Sequence, residues 1–268
     1  MSSPEAVAVI PARMGSSRFP GKPLAPILGL PMVEHVYRRV AMCRSLQGIY
    51  VATCDREIYD CVRGFGGEAI MTSPKHPTAS DRVAEAAQRI AASILVMVQG
   101  DEPMVLPEMI DRAVAAMQGD PARGCVNLAK RITDEAEFLD PNTIKVVMDR
   151  EGDALMFSRE PIPTRRLLGW GGIHPFKQVC IIPFRRQILL QYAHLERGAA
   201  ELAESVDMLR LVEHGLKVRM VETEFDTHAV DTRADLQAVE KRMLQDPLTR
   251  QYALQAVKTA LKVQSAAS

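Results

Sequence analysis

Short apolar runs alternate with segments of helical periodicity through roughly the first third of the chain, and this alternation constrains the fold more than any other sequence feature. Three of the runs are almost entirely apolar, namely "AVAVI" (6–10), "IYVATC" (49–54) and "ILVMVQ" (94–99). A strand that is apolar on both faces is typical of a parallel sheet covered by helices on each side. The intervening segments, such as "PMVEHVYRRVAMC" (31–43), carry apolar residues at helical spacing. We therefore expect an α/β fold with a mainly parallel sheet and helices on both faces.

The middle of the chain has a different pattern. Strand-like runs follow one another with few helices between them, and Gly152 and Asp153 in "REGDA" separate two of the runs as a hairpin turn would. Residues from about 121 to 186 are therefore interpreted as an antiparallel insertion or subdomain. Helical periodicity returns in "ELAESVDMLRLVEHG" (201–215). We expect a single domain over residues 1–245 and a peripheral C-terminal tail over 246–268.

The overall charge and the cysteines restrict the partners and the compartment. The 268 residues contain 33 Lys and Arg against 33 Asp and Glu, so the chain has no net charge and no nucleic-acid partner is expected. No apolar run approaches the ~18 residues of a membrane span, and the first residues lack the regions of a secretion signal. The five cysteines form no CxxC pair, as expected of reduced thiols. These features predict a cytoplasmic protein that does not contact membranes.

The segment "IPARMGSSRFPGKPL" (10–24) follows the first predicted strand and is rich in glycine, proline and cations. It is not a Walker A loop, because five residues separate Gly15 from Gly21 where that loop has four, and Pro23 replaces its Ser or Thr. Glycine amides, hydroxyls and cations aimed at one point nevertheless suit a phosphate group. The candidate phosphate-binding side chains are Arg13, Ser16, Ser17, Arg18 and Lys22. The alternative is a solvated loop held by salt bridges.

This loop and several later segments resemble a known family. The loop is close to the pattern PAR-x-x-S-x-R-x-PGKPL of CMP-Kdo synthetases, the 3-deoxy-manno-octulosonate (Kdo) cytidylyltransferases. The chain resembles them again in "VATCD", "VQGDEPM", "NTIKVVMDREGDALMFSREPIP" and "VDT…DL", over about residues 6 to 243. The resemblance implies an α/β fold of the nucleotide-diphospho-sugar-transferase type with an antiparallel insertion, usually in a homodimer.

The implied reaction joins CTP to a 2-keto-3-deoxy sugar acid and releases pyrophosphate. The anomeric hydroxyl of the sugar attacks the α-phosphorus of CTP in line, and such a transfer depends on positioning and charge neutralisation. The residues expected to supply these are Arg18, Lys22 and Asp101. The resemblance also implies a place in lipopolysaccharide biosynthesis, with capsule and other pathways left open.

Two acidic residues are candidates for a Mg²⁺ site. Asp101 comes directly after the buried run 94–99, at the edge of the sheet where open α/β proteins bind ligands. Asp231 in "HAVDT" is the natural second ligand, and both acids match positions that the family uses for metal. Magnesium prefers a few carboxylates together with phosphate oxygens and water. The alternative is that both acids cap the helices that follow them; Glu102 is interpreted as a neighbour and not a ligand.

A second substrate-facing loop is predicted in "SPKHPTASDRVAEAA" (73–87). We expect Ser80 or Asp81 to cap the helix that begins here and Arg82 to point back to the nucleotide. The family usually has S-G-T-E/D-R at this place, whereas this chain has Ala79 and Ser80 instead of the Gly-Thr pair.

The acceptor pocket is where the chain departs most from the family. Gln99 matches a family residue that touches the sugar acid. Gln178, with Lys177 beside it, stands where the family has a His in an R-H-L-G segment, and Asp207 replaces a Glu. Gln cannot become a cation, and Asp is one methylene shorter than Glu.

Three further residues in the predicted antiparallel strands, Lys145, Ser158 and Arg159, are candidates to bind the carboxylate of the acceptor. The departures leave two acceptors open: Kdo or a close 2-keto-3-deoxy acid, and a different acidic compound such as another keto acid, a phosphonate or a sugar phosphate. A nucleotide-binding protein without catalytic activity is a third possibility, and it would require idle acids at positions 101 and 231.

Overall fold

A computed structural model describes residues 5–15 and 18–254 of the chain. The strands are β1 (Ala6–Ala12), β2 (Pro26–Ile27), β3 (Leu30–Pro31), β4 (Ile49–Thr53), β5 (Glu68–Met71), β6 (Ile94–Val98), β7 (Cys125–Arg131), β8 (Lys145–Met148), β9 (Ala154–Ser158), β10 (Phe176–Val179), β11 (Ile181–Arg185) and β12 (Val218–Glu222). The α-helices are α1 (Met32–Val40), α2 (Arg56–Gly64), α3 (Ala79–Ala87), α4 (Pro107–Gln118), α5 (Glu135–Leu139), α6 (Arg186–Tyr192), α7 (Ala199–Glu204), α8 (Leu209–Glu213) and α9 (Arg233–Met243). Short 3₁₀ turns occupy Lys22–Leu24 and Trp170–Gly172.

One mixed sheet contains all the strands except the small β2–β3 pair, in the order β5-β4-β1-β6-β11-β7-β10-β8-β9, with β12 also paired to β7. The strands β5, β4, β1 and β6 run parallel, as the apolar runs predicted. From β11 to β9 each neighbour is antiparallel, and only β12 joins β7 in parallel. The predicted fold class is confirmed, and the antiparallel segment extends the same sheet.

Two apolar clusters cover the two faces of this sheet. On β1, Val7 and Val9 belong to the cluster under α3, α6 and α8, whereas Ala6, Ala8 and Ile10 belong to the cluster under α1, α2 and α4. All five side chains are buried, because helices cover both faces of the strand. The alternation of side chains along a strand thus builds the core on both sides at once.

The hairpin between β8 and β9 was predicted from "REGDA" and is confirmed. The two strands pair antiparallel, and Gly152 in their turn has a φ of +86°, which favours glycine.

The consecutive strands β10 and β11 pair with different neighbours. The strand β10 pairs with β7 and β8, while β11 pairs mainly with β6. Cys180 lies between β10 and β11. Because Ile181 is opposite Val98 in the antiparallel β11–β6 pair, Cys180 is opposite Gln99.

The helical periodicity of residues 201–215 does not form one continuous helix. It forms two short helices, α7 and α8, because Ser205 adopts the left-handed conformation with a φ of +54° and ends α7. A non-glycine residue in this conformation costs free energy and is uncommon. The break places Asp207 between the two helices instead of on a continuous helical face.

Residues 246–254 continue from α9 and pack on α1, while residues 255–268 of the predicted tail lie outside the described residues. Arg39 of α1 is fully buried and contacts Asp246 and Thr249. The same guanidinium donates to the backbone oxygens of Met104 and Val105, just after the predicted metal-binding acid. Within residues 5–15 and 18–254 no helix has the length and apolarity needed to cross a membrane.

The buried His35 predicts a loss of stability in acid. Its Nε2 contacts the Ile27 oxygen and its Nδ1 contacts the Tyr252 hydroxyl, both at 2.8 Å, and burial lowers the pKa of His35 from 6.5 to about 4. Below pH 6.5 the His35 side chain is therefore protonated in the unfolded chain but stays neutral in the folded protein. The free energy of unfolding falls as the pH drops, by about 1.4 kcal/mol per pH unit. Urea unfolding at pH 7.5 and at pH 4.5 measures this drop in the free energy of unfolding. We expect the drop to be about 2 kcal/mol smaller in His35→Gln than in the wild type, because the neutral amide of Gln can make both contacts but does not titrate. Equal losses in the two proteins would show that His35 does not cause the acid sensitivity.

Candidate active site

Two adjoining cavities open at the carboxyl ends of β1 and β6. The first cavity, about 330 Å³, is lined by the loop after β1, by Arg82 and by Asp101 and Asp231. The second cavity, about 240 Å³, is lined by residues that include Gln178 and Asp207. Gln99, Thr78 and Ala79 line both cavities, so the two spaces meet at these residues. This is the position at which open α/β sheets bind their ligands.

The structure brings the loop after β1 together with both predicted acids. Lys22 Nζ lies 2.8 Å from Asp101 Oδ2 and 3.3 Å from Asp231 Oδ1, and Arg18 Nη2 lies 3.0 Å from the same Asp231 oxygen. Lys22 is nearly buried, while about a third of each carboxylate side chain is exposed. Neither acid caps a helix, because Leu106 and Thr232 occupy the N-cap positions of α4 and α9. Both carboxylates therefore remain available to a ligand in the first cavity.

Backbone geometry fixes the shape of the loop. Gly21 has a φ of +74°, which favours glycine, and leads into the 3₁₀ turn that carries Lys22. Gly100 allows the end of β6 to approach β1, since a Cβ there would lie 2.7 Å from the oxygen of Pro11. Ser16 and Ser17, predicted to contact phosphate, lie outside the described residues.

Two side chains that sequence reasoning did not select also hold the loop. Asp55 Oδ2 accepts a 2.7 Å hydrogen bond from the Met14 backbone, and Asn142 Oδ1 accepts one of 3.1 Å from Arg18 Nη1. Both occur in segments that carry the family resemblance, "VATCD" and "NTIKVV". Their position in those motifs was the available signal, although nothing in the sequence indicated which atoms they contact.

Arg13 and Arg82 both line the first cavity. Arg82 is nearly buried and donates to Thr72 Oγ1 at 2.6 Å, which holds its guanidinium at the cavity wall. His76 lines the same cavity and contacts Glu85, and the sequence prediction did not include it. The first cavity thus gathers several cations around a space that two acids close on one side.

The predicted cap of α3 needs correction. Thr78, and not Ser80 or Asp81, is the N-cap, and its side chain accepts from the Asp81 amide. Ser80 turns inward and donates to Asp207 Oδ2 at 2.6 Å. Burial raises the pKa of Asp207, although the hydrogen bonds from Ser80 oppose this. A carboxyl group in such a place can accept hydrogen bonds from a ligand in the second cavity.

A buried ion cluster lies beneath the junction of the two cavities. Arg210 donates to Asp81 Oδ1 at 2.8 Å and to Glu201 at 2.7 and 2.8 Å, and its guanidinium lies 4.1 Å from the centre of the Tyr192 ring. Burial alone would raise the pKa of Asp81, but the hydrogen bonds from Arg210 and Thr78 outweigh it and lower that pKa. The cluster joins the first turn of α3 to α7 and α8.

Gln178 contacts a buried amide behind the wall of the second cavity. Its Nε2 donates to Asn127 Oδ1 at 2.6 Å. Asn127 lies on β7 and is fully buried. Sequence reasoning did not select it, because a single polar residue in "CVNLAKR" carries no signal of its own.

Ser158, Arg159 and Lys145 lie beside the second cavity, since the Arg159 guanidinium contacts the Ser205 oxygen and Lys145 follows Ile144, and both Ser205 and Ile144 line that cavity. Ser158 Oγ and the Arg159 backbone amide donate to Glu204 at 2.6 and 2.7 Å. Lys145 is buried, and its ammonium donates to three backbone oxygens, those of Asp140, Thr143 and Arg159. Among the described lining residues of the two cavities, none of these three side chains occurs. In the structure, these three residues therefore form hydrogen bonds with other residues of the protein.

The donors at Asp101 and Asp231 fit a hard divalent cation. A single ammonium group already lies within hydrogen-bond distance of both carboxylates, so one cation can contact both. Carboxylate oxygens are the ligands that Mg²⁺ prefers, with the remainder supplied by phosphate and water. In the described part of the chain no group of three or more His, Cys, Asp or Glu forms a metal site made of protein alone.

Comparison with known proteins identifies the family. The family model for cytidylyltransferases matches residues 7–223. The chain is 46% identical to a 3-deoxy-manno-octulosonate cytidylyltransferase of Geobacter sulfurreducens, over 79% of this chain and 88% of that protein. A Geobacter metallireducens protein of the same description is 45% identical over 79% and 87%. The chain belongs to the 3-deoxy-manno-octulosonate cytidylyltransferase family.

A solved structure of the family supports the same assignment. The structure of a CMP:2-keto-3-deoxy-manno-octonic acid synthetase complexed with CTP superposes with a TM-score of 0.85 at 41% identity, covering 90% of this chain and 99% of that one. A cytidylyltransferase from Leptospira borgpetersenii, at 16% identity and a TM-score of 0.63, shares the fold. The family resemblance and the fold type predicted from the sequence are confirmed.

The ion cluster predicts unequal costs for two arginines that contact the same carboxylate. Replacing Arg210 by Met removes the ion-pair partner of the buried Asp81 and the buried partner of Glu201, and we expect a loss of about 3–5 kcal/mol in the free energy of unfolding. Arg197 Nε also contacts Glu201, at 2.9 Å, but 36% of its side chain is exposed, so Arg197→Met should cost less than about 1 kcal/mol. Urea unfolding followed by circular dichroism measures both variants. Equal losses would mean that Arg210 is no more important to stability than an exposed partner.

Proposed function

We propose that the protein transfers the cytidylyl group of CTP to Kdo, giving CMP-Kdo and pyrophosphate. The observation that carries the proposal is the pair of cavities that meet at Gln99, one rich in cations and closed by two acids, the other lined by neutral and acidic hydrogen-bonding groups together with Arg197. The first cavity suits a nucleoside triphosphate, and the second suits a polyhydroxylated acceptor. Membership of the family, and the CTP bound to a family member of the same fold, support the choice of substrates.

The chemistry follows from the charges around the first cavity. Arg18, Lys22 and Arg82 bind the triphosphate, with Arg13 beside them, and hold the α-phosphorus near Gln99. The anomeric oxygen of the acceptor forms a bond to that phosphorus while the bond to pyrophosphate breaks and pyrophosphate leaves with the electron pair. Charge on the departing pyrophosphate is what the cations must neutralise, so positioning and electrostatics carry most of the rate.

We propose that Mg²⁺ is the cofactor and that Asp101 and Asp231 hold it. When bound, the ion supplies charge neutralisation on the phosphates. Lys22, which contacts both carboxylates, would then be free to contact a phosphate oxygen. The two carboxylates would otherwise place negative charge beside the triphosphate.

A different acidic acceptor is the second candidate, and Gln178 and Asp207 favour it, because both differ from the residues usual in the family.

The protein is further proposed to act as a homodimer in the cytoplasm, in lipopolysaccharide biosynthesis. Exposed leucines on the loop after β9, Leu167 and Leu168, with 88% and 70% exposed, support an association between two copies. Five free thiols and the use of CTP fit a reducing compartment.

Replacing either acid should abolish turnover without unfolding the protein. Pyrophosphate release from CTP and Kdo should fall by at least about a thousandfold in Asp101→Asn and in Asp231→Asn, since each lost ~1.4 kcal/mol of transition-state stabilisation costs tenfold. The double variant should be little worse than either single one, because the acids act as a unit. Asp60→Asn, a change at an exposed acid on α2, is the matched control.

Three results would contradict parts of this proposal. Near-full activity of Asp231→Asn with unchanged Mg²⁺ dependence would remove that residue from the metal site. Release of pyrophosphate with another acid but not with Kdo would transfer the assignment to the second candidate. Binding of CTP without turnover of any acceptor would leave a nucleotide-binding protein that lacks catalytic activity.

The choice of cytosine is tested by ligand-dependent melting. We expect CTP with Mg²⁺ to raise the melting temperature more than UTP or ATP at the same concentration, because at equal concentration the ligand with the lower Kd stabilises the folded state more. Equal shifts for the three nucleotides would show that the base is not distinguished.

A further inference from the structure

Gln178 and Asp207 line the second cavity, and Asn127 lies behind the Gln178 side chain. Gln178 is opposite Ala129 in the antiparallel β10–β7 pair. Residues two apart on a strand share a face, so Asn127 is the diagonal neighbour of Gln178 on the same face of the sheet. The two amide side chains can therefore contact each other directly.

The orientation of the Asn127 amide is fixed by the backbone around it. Its Nδ2 donates to the Val179 oxygen at 2.6 Å and to the Leu128 oxygen at 3.0 Å, and the side chain is fully buried. Reversing the amide would place its oxygen against two carbonyl oxygens, which cannot donate. Asn127 Oδ1 is therefore the atom that faces Gln178.

This orientation in turn fixes Gln178. Asn127 Oδ1 accepts hydrogen bonds, so Gln178 must donate to it through Nε2. The observed Nε2–Oδ1 distance is 2.6 Å. The Gln178 carbonyl oxygen, Oε1, then remains at the cavity wall, and no described residue donates to it. Asp207 is similar, since Ser80 donates to Oδ2 while Oδ1 receives no hydrogen bond from a described residue. The wall presents two acceptor oxygens.

We propose that this wall binds hydroxyl groups of the acceptor and excludes its carboxylate, and that Asn127 is the positioning residue that imposes this by holding Gln178 with its oxygen toward the substrate. The inference rests on the proposed function and specifies how the acceptor lies in the site. A hydroxyl group donates to Oε1 and Oδ1, whereas a carboxylate offers only acceptors and meets the negative charge of Asp207. The carboxylate of the sugar acid consequently lies at another part of the cavity.

The pairing with Asn127 distinguishes this chain from a site that has His at position 178. An imidazole held by Asn127 through one nitrogen accepts through the other when it is neutral but donates through it when it is protonated. Gln178 held by Asn127 only accepts, so the wall discriminates more strongly between donor and acceptor groups on the substrate. Discrimination at a buried hydrogen-bonding wall is large, because a mismatched ligand leaves protein groups unpaired.

Steady-state kinetics with CTP and Kdo test the role of Asn127. Gln178→Leu should raise the KM for Kdo about tenfold, the effect of one lost hydrogen bond, while kcat and the KM for CTP change by less than about twofold. Asn127→Leu should shift the KM for Kdo in the same direction, and the double variant should be no worse than Gln178→Leu alone, because both changes remove one interaction. Gln178→His should restore the KM, since one ring nitrogen can donate to Asn127 while the other accepts. Gln118→Leu, at an exposed position on α4, is the control and should match the wild type.

A set of Kdo analogues tests the direction of the hydrogen bond. Each analogue has one hydroxyl replaced by fluorine, which cannot donate. At least one should lose about tenfold in kcat/KM with the wild type, and that loss should shrink to about twofold with Gln178→Leu. This arm needs no change at the buried Asn127, so it holds even if the Asn127 variant does not fold.

The outcomes separate this inference from the proposed function. If the wild type uses Kdo but no fluorine effect depends on residue 178, the acceptor wall is wrong and the proposed function stands. A folded Asn127→Leu variant with wild-type kinetics would likewise remove Asn127 as a positioning residue. If the wild type binds CTP but uses no sugar acid, the proposed function fails and this inference falls with it.

Discussion

The nucleotide side of the site depends on one ammonium group between two carboxylates. Asp101 follows β6 and Asp231 precedes α9, and Lys22 on the loop after β1 contacts both. Two carboxylates in such a place repel each other unless a cation lies between them, and the nearly buried Lys22 is less screened by solvent than a surface cation. The contact therefore joins the basic loop, the strand end and the turn before α9. It also marks the position at which we propose a divalent cation.

The acceptor side depends on buried charge that is compensated from inside the protein. Asp207 reaches the second cavity because Ser205 interrupts the helical segment before it. Nearby, Arg210 neutralises Asp81 and Glu201, so further negative charge can be tolerated at the wall. The two cavities differ in chemistry for this reason, with several cations around the first, and with oxygen acceptors beside Arg197 on the second.

The sequence was sufficient where a pattern has only one structural solution. Apolar runs on both faces predicted the parallel strands, and the resemblance selected the loop around Lys22 and the acids Asp101 and Asp231. It was insufficient where geometry decides the contact. Nothing in "CVNLAKR" indicates that Asn127 contacts Gln178. The sequence around Ser205 likewise gives no signal that a helix ends there, because a left-handed backbone at a non-glycine residue is held by the surrounding structure and not by the residue itself. Nothing in the sequence indicates either that the Arg159 guanidinium donates to the backbone oxygens of Glu204 and Pro141.

The most direct test of the central claim is the binding of Mn²⁺, as a probe for Mg²⁺, in the presence of CTP, measured from the electron paramagnetic resonance signal of the free ion. We expect the wild type to bind one ion with CTP more tightly than CTP does alone. Asp101→Asn and Asp231→Asn should each weaken that binding at least about tenfold, since each removes a charged ligand. Asp60→Asn should leave it unchanged. Wild-type affinity in either active-site variant would contradict the account, because the carboxylate replaced would then not hold the ion.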